Sequence, residues 1–232
     1  MPERSAMPPI SPPLALLAGA VLAATVLTAT PASAAPQTPN YDGLLLAEAV
    51  ATLPTGSEQR DGYQRSSFRH WVDADRDGCS TRAEALIEEA IAPPQVGDGC
   101  RLTGGKWYSY YDDLIIEDPA GLDVDHLVPL AEAWDSGAHA WGAAKRQEYA
   151  NDLADSWHLV AVTARSNRQK ADQDPATWQP PHEVARCRYA AEWTSIKLRW
   201  ELSIDLAERE ALTDLGRSCP DQRLPTSSGN QR

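Results

Sequence analysis

Apolar residues recur at intervals of three and four in several stretches, the spacing that lines one face of an α-helix. Leu44, Leu45, Ala47, Val50 and Leu53 form such a stripe and predict a helix over 41–53, stopped by Pro54-Thr55-Gly56. A second helix is expected over 81–91, with Ser80 or Thr81 as its cap and Pro93-Pro94 as its stop. Shorter helical segments follow at 131–134 and 143–151. Tyr189, Trp193, Ile196 and Trp200 mark a long helix over 183–202, and 203–216 reads as another, ended by Gly216. Two runs break the pattern. Residues 122–130 and 159–163 are short and apolar, which predicts strands. A strand is also expected within 106–116, a short helix or turn at 67–72 and a loop at 97–105. Ser166 is the expected cap of a short helix through about residue 172. The order strand, connection, strand, short helix thus sits inside an otherwise helical chain. The expected fold class is α+β: one mostly helical domain with little sheet.

The N-terminus stands apart. Arg4 precedes an apolar run from 14 to 30, and Ala32-Ser33-Ala34 has the form of an export cleavage site. Residues 1–34 are expected to be a signal peptide, 35–219 the folded domain and 220–232 a flexible polar tail. The apolar run is shorter than a membrane span of roughly 20 residues, so no stable membrane association is expected after cleavage. The expected location is extracellular. Four cysteines in an exported chain point to two disulfides. Local pairing favours Cys79–Cys100 and Cys187–Cys219, with three connectivities open on sequence alone.

A net charge of −12 excludes non-specific electrostatic wrapping of nucleic acid. It leaves room for a local basic groove: Arg165, Arg168, Lys170, Arg186, Arg188, Lys197 and Arg199 all fall in the second half of the chain. The chain has no H-E-x-x-H of a zinc peptidase and no G-x-S-x-G of a serine hydrolase.

The candidate chemistry lies in Asp125-His126 and in Ser166-Asn167-Arg168-Gln169-Lys170. Neighbouring strand residues point to opposite faces, so a twist or bulge at the strand end is needed to bring Asp125 and His126 to one site. An imidazole suits a general base near neutral pH. Asp125 is a hard oxygen donor for a cation, and Asn167 offers a second oxygen without adding charge. Ser166 as a cap would bring helix-start amides near a phosphate. Arg168 and Lys170 are candidate phosphate contacts, although they fit a solvated helix face equally well. The tryptophans read as core residues, and His70, His139 and His182 have no partner pattern.

Asp125-His126-Leu127-Val128-Pro129, Trp157-His158-Leu159-Val160-Ala161-Val162-Thr163 and Ser166-Asn167-Arg168-Gln169-Lys170-Ala171-Asp172 together resemble the HNH (ββα-metal) nuclease motif. The chain is similar, more narrowly, to secreted HNH endonucleases related to the C-terminal domain of GmrSD-type restriction enzymes, over about residues 41–219. The resemblance implies a ββα-metal core at about 122–172 and hydrolysis of phosphodiester bonds in DNA, or RNA. It makes Asp125 and Asn167 the metal ligands and His126 the general base. His158 falls where the family places its central Asn or His, which fixes the loop and orients the base or the phosphate. With these donors Mg²⁺ or Mn²⁺ is expected over Zn²⁺, which prefers His and Cys. His158 in place of the commoner Asn is also a candidate ligand and leaves the metal open. The expected partner is a nucleic-acid substrate and the expected state a monomer.

A second acidic cluster, Asp73-Ala74-Asp75-Arg76-Asp77-Gly78 with Glu84, matches an EF-hand loop pattern. It supports an alternative, a non-catalytic secreted calcium-binding module. It also fits a solvated turn with helix-capping acids.

Overall fold

A computed structural model describes residues 40–226; the expected signal peptide lies outside them. The described chain is α+β, with more helix than strand and small two-stranded sheets, the fold class that the hydrophobic pattern predicts. Its helices are α1 (Leu46–Thr52), α2 (Thr81–Glu88), α3 (Leu130–Asp135), α4 (Ala143–Ala150), α5 (Ala164–Lys170), α6 (Ala185–Arg199) and α7 (Leu206–Ser218). The strands β1 (Gln95–Gly97), β2 (Arg101–Thr103), β3 (Trp107–Ser109), β4 (Leu114–Ile116), β5 (Leu122–His126) and β6 (Leu159–Thr163) pair as three antiparallel hairpins, β1–β2, β3–β4 and β5–β6.

The main core gathers side chains from α1, α3, α4, α6 and α7 around Tyr149, Tyr189, Trp193 and Ile196. The Tyr189–Trp193–Ile196 stripe is buried as its spacing predicts. A smaller cluster lies on one face of the β5–β6 hairpin, where Leu122, Val124, Leu159 and Ala161 pack against Ala85 and Leu86 of α2 and the ring of Trp107. Cys79–Cys100 and Cys187–Cys219 are the disulfides formed, so the locally favoured pairing is the one adopted.

Three local expectations are corrected. Gly216 does not end a helix; it lies within α7, where a Cβ would come 3.3 Å from the Ala47 Cα, so its small size permits close approach of α1 and α7. Residues 97–105 are not wholly loop, since Gly97 pairs with Arg101 in the β1–β2 hairpin. The chain does not become a free tail at 220 either. Leu224 is buried and its N–H donates to the Leu44 carbonyl at 2.8 Å, beside a bridge between Leu45 and Arg223.

Lys197, one of the basic residues of the second half, is a core residue. Its ammonium donates to Glu132 at 2.6 Å and Glu208 at 3.1 Å, tying α6 to α3 and α7. Two buried carboxylates and one buried cation keep such a network specific rather than strongly stabilising.

Glu89, just after α2, accepts the Ala161 N–H of β6 at 2.9 Å. Burial pushes its carboxyl up from 4.5 to about 8, opposed in part by that hydrogen bond. A group that holds its proton more tightly folded than unfolded makes the folded state bind more protons between these values. Its contribution is therefore present at acid pH and lost as pH rises through about 8. Glu89→Gln keeps an acceptor for Ala161 and does not titrate. The difference in urea midpoint between wild type and Glu89→Gln is expected to move against the wild type from pH 5 to pH 8. A pH-independent difference would contradict this.

Candidate active site

The site is built on the β5–β6 hairpin and the helix that follows it. Pairing is regular from Leu122↔Thr163 to His126↔Leu159. Alternation then puts Asp123 and Asp125 on one face with Val160 and Val162, and Val124 and His126 on the other. α5 lies against the aspartate face. Asn167 Nδ2 donates to Asp123 Oδ2 at 3.2 Å, and Lys170 Nζ lies 2.8 Å from Asp125 Oδ2 and 3.1 Å from Asp125 Oδ1. One helical turn thus spans two strand residues, and each helix residue meets its own aspartate.

Asp125 and His126 nevertheless line one cavity of about 320 Å³, together with Arg65, Asn167, Arg168 and Asp172. Pairing stays regular up to this point, so the end of the strand, rather than a bulge within it, brings the two together. Past His126 the chain turns away, with the Leu127 N–H still bonded to the His158 carbonyl.

Asp125 is 6% exposed. Burial raises its pKa, opposed by the Lys170 ammonium and by the Tyr111 hydroxyl, which donates to Oδ2 at 2.8 Å. Burial likewise lowers the Lys170 pKa, and Asp125 opposes this. Each ion is costly alone and tolerable only beside the other. Lys170 is 0% exposed, and its remaining contact is the His126 carbonyl at 3.2 Å. Its expected role as a phosphate contact is therefore corrected: the ammonium is a strut under Asp125 and does not reach solvent. Arg168 does, at 76% side-chain exposure, with only a long 3.8 Å approach to Asp123.

His126 is 4% exposed, and its Nε2 lies 2.9 Å from the Ala150 carbonyl. A carbonyl can only accept, so Nε2 carries the proton and Nδ1 keeps the lone pair a base needs. Burial holds the imidazole well below its ordinary value; the Ala150 hydrogen bond opposes this, and His158, Arg65 and His70 add to it. The Trp71 ring packs on the imidazole with centroids 5.0 Å apart.

His158 does not line the cavity. It is 1% exposed, its Nε2 donates to the Tyr149 carbonyl at 2.8 Å, and its ring packs edge-on against Tyr149. It holds the residue next to Ala150, whose carbonyl orients His126. From this place it can act on the base only through the Tyr149–Ala150 backbone, and it is not among the residues that line the cavity.

The start of α5 is also corrected. Thr163, not Ser166, is the N-cap, accepting the Ser166 N–H at 3.2 Å. Asp112 then accepts from both hydroxyls, at 2.5 Å from Thr163 and 2.8 Å from Ser166. The Asp112 carboxylate thus lies at the start of α5, bonded to these two hydroxyls. Sequence reasoning also missed Tyr111, Arg65 and Trp71 as parts of the site. Trp71 carried one signal, an aromatic beside a histidine just before the acidic loop.

In that loop Asp73, Asp75 and Asp77 bring carboxylate oxygens within 4.8 Å of one another. They also accept backbone amides of their own turn, Gly78 N–H to Asp73 at 3.1 Å and Cys79 N–H to Asp77 at 2.7 Å. Glu84 lies in the first turn of α2.

A two-stranded hairpin with Asp-His at its end, followed by a helix bearing Asn on the aspartate face, defines an HNH-like nuclease domain. Residues 93–215 match the family described as GmrSD restriction endonucleases, C-terminal domain, and the chain belongs to that family. It is also 38% identical over 186 residues to a protein of Arthroderma benhamiae described as an uncharacterized secreted protein, covering 79% of this chain and 90% of the relative. No solved structure matches the chain. The secreted relative and the two disulfides place the protein outside the cell. The family implies nuclease activity, a metal ion and a nucleic-acid substrate.

The donors fit a hard cation. Asp125 and Asn167 both reach the cavity and offer oxygen. Asp125 has more acceptor directions than Lys170 and Tyr111 occupy, since an ionised carboxylate has about four. No cysteine is free to ligate a softer ion.

Proposed function

We propose that this protein is a secreted, metal-dependent endonuclease that hydrolyses phosphodiester bonds of DNA or RNA. The observation that carries the reading is the single cavity shared by Asp125, His126, Asn167 and Arg168. His126, whose Nε2–H donates to the Ala150 carbonyl, takes a proton from the attacking water at Nδ1. Asp125 and Asn167 hold the cation, and Arg168 contacts substrate phosphate. A bound Mg²⁺ or Mn²⁺ would stabilise negative charge developing on the phosphate and the leaving oxygen. Oxygen donors with room for water favour these ions over Zn²⁺. His158 holds the Tyr149 carbonyl, next to the Ala150 carbonyl that orients the base. The protein acts as a monomer.

The converging Asp73, Asp75 and Asp77 carboxylates favour one second reading, a calcium-binding module without catalysis. Digestion of plasmid and RNA with Mg²⁺, Mn²⁺, Ca²⁺ or Zn²⁺, each with and without excess EDTA, separates the two. Cleavage with Mg²⁺ or Mn²⁺ that stops on metal removal is expected. Stabilisation by Ca²⁺ with no turnover under any ion would favour the module instead.

A further inference from the structure

The nuclease reading asks for cationic contacts at the cavity in a chain of net charge −12, yet the Lys170 ammonium is buried under Asp125. Besides Arg168, one other cation lines the same cavity. Arg65 opens a short 3₁₀ helix, Arg65–Ser67, is exposed, and comes from a different part of the chain than Arg168. It lies upstream of the residues matched to the family, 93–215.

The segment that carries it is fixed. Phe68 is fully buried, with its ring edge-on to Trp134 and Tyr149. From α4, Arg146 donates to the Ser67 carbonyl at 3.1 Å. The Asn151 side chain, at the end of α4, clamps the segment twice: Nδ2 donates to the Arg69 carbonyl at 2.7 Å, and Oδ1 accepts the Val72 N–H at 3.0 Å. Between these anchors Trp71 adopts φ 59°, a conformation uncommon for a bulky residue, and its ring rests on His126. A side chain presented from a segment tied down at three points loses less freedom on binding than one on a free loop.

We propose that Arg65 is a substrate-binding residue of this site that contacts the nucleic-acid backbone, and that the anchored segment 65–72 presents it. The inference rests on the nuclease reading and extends the binding surface beyond the ββα core. A guanidinium suits this task because its planar fork can donate two hydrogen bonds to one phosphate.

The test uses the disulfide-intact His126→Ala protein, so that binding is read without cleavage, and a labelled duplex oligonucleotide in Mg²⁺ over a series of salt concentrations. Adding Arg65→Ala is expected to weaken binding about tenfold or more and to reduce the slope of log affinity against log salt by about 0.9, one phosphate contact on duplex DNA. Arg65→Lys should restore most of the slope because it restores the charge. Arg69→Ala serves as the control, an exposed arginine nearby that does not line the cavity, and is expected to change the slope much less. An unchanged affinity and slope for Arg65→Ala, or an equal fall for Arg69→Ala, would overturn the inference and leave the nuclease reading standing. Wild-type protein that cuts no nucleic acid would overturn both.

Discussion

Replacing His126 with alanine is expected to slow phosphodiester cleavage by about 10²–10⁴-fold, the range general-base catalysis contributes, while the protein still folds. The loss follows from geometry. The Ala150 carbonyl fixes the tautomer, Trp71 covers one side of the ring, and the strand end brings the imidazole to the cavity that Asp125 and Asn167 share. Among the described residues lining that cavity, His126 is the sole imidazole. The substitution leaves the Ala150 carbonyl without its partner, a cost of about 1–3 kcal/mol if it stays dry. A lower melting temperature with an unchanged far-UV spectrum would fit this. Activity lost together with secondary structure would not.

The largest stability effect is expected at Lys170. Lys170→Met fills a similar volume but leaves Asp125 as a buried carboxylate with only the Tyr111 hydroxyl beside it. Breaking a buried pair in this way costs about 3–5 kcal/mol, read as a shift in urea midpoint. Combining it with Asp125→Asn removes the stranded charge, and the pair should recover a large part of the loss, because contacting residues do not behave additively. The double variant should stay inactive, since Asp125 is a proposed metal ligand. By contrast Arg168→Ala, on the exposed side of the same helix, should change stability by less than about 1 kcal/mol. Equal effects of Lys170→Met and Arg168→Ala would contradict the burial of that ammonium.

Much of this was readable in advance because it is local. β6 spans the five residues of its apolar run, whereas β5 stops at His126 short of the expected 130, since Pro129 caps α3 there. The four stripe positions of α6, Tyr189 to Trp200, span about three turns and are all buried. What was misread depends on partners far away in the chain. Nothing near Lys170 says that it points inward, because its partner Asp125 is set by how α5 packs on the hairpin. Thr163 and Ser166 are both capping residues by type, and it is the Thr163 hydroxyl, at the end of β6, that accepts the Ser166 N–H. The β1–β2 hairpin hides in a stretch interrupted by Gly97-Asp98-Gly99, with almost no alternating pattern. Arg65 and Trp71 precede the motif by more than fifty residues, and it is the packing of Phe68 and the bonds from α4 that hold their segment beside it.

The central claim is that Asp125, His126 and Asn167 form a cation-dependent phosphodiesterase site. Its most direct test is the rate at which supercoiled plasmid is lost in Mg²⁺ with wild-type protein and with His126→Ala, side by side. The account predicts nicking and then linear products from the wild type, with the variant at least a hundredfold slower. A variant that cuts as fast as the wild type would contradict it.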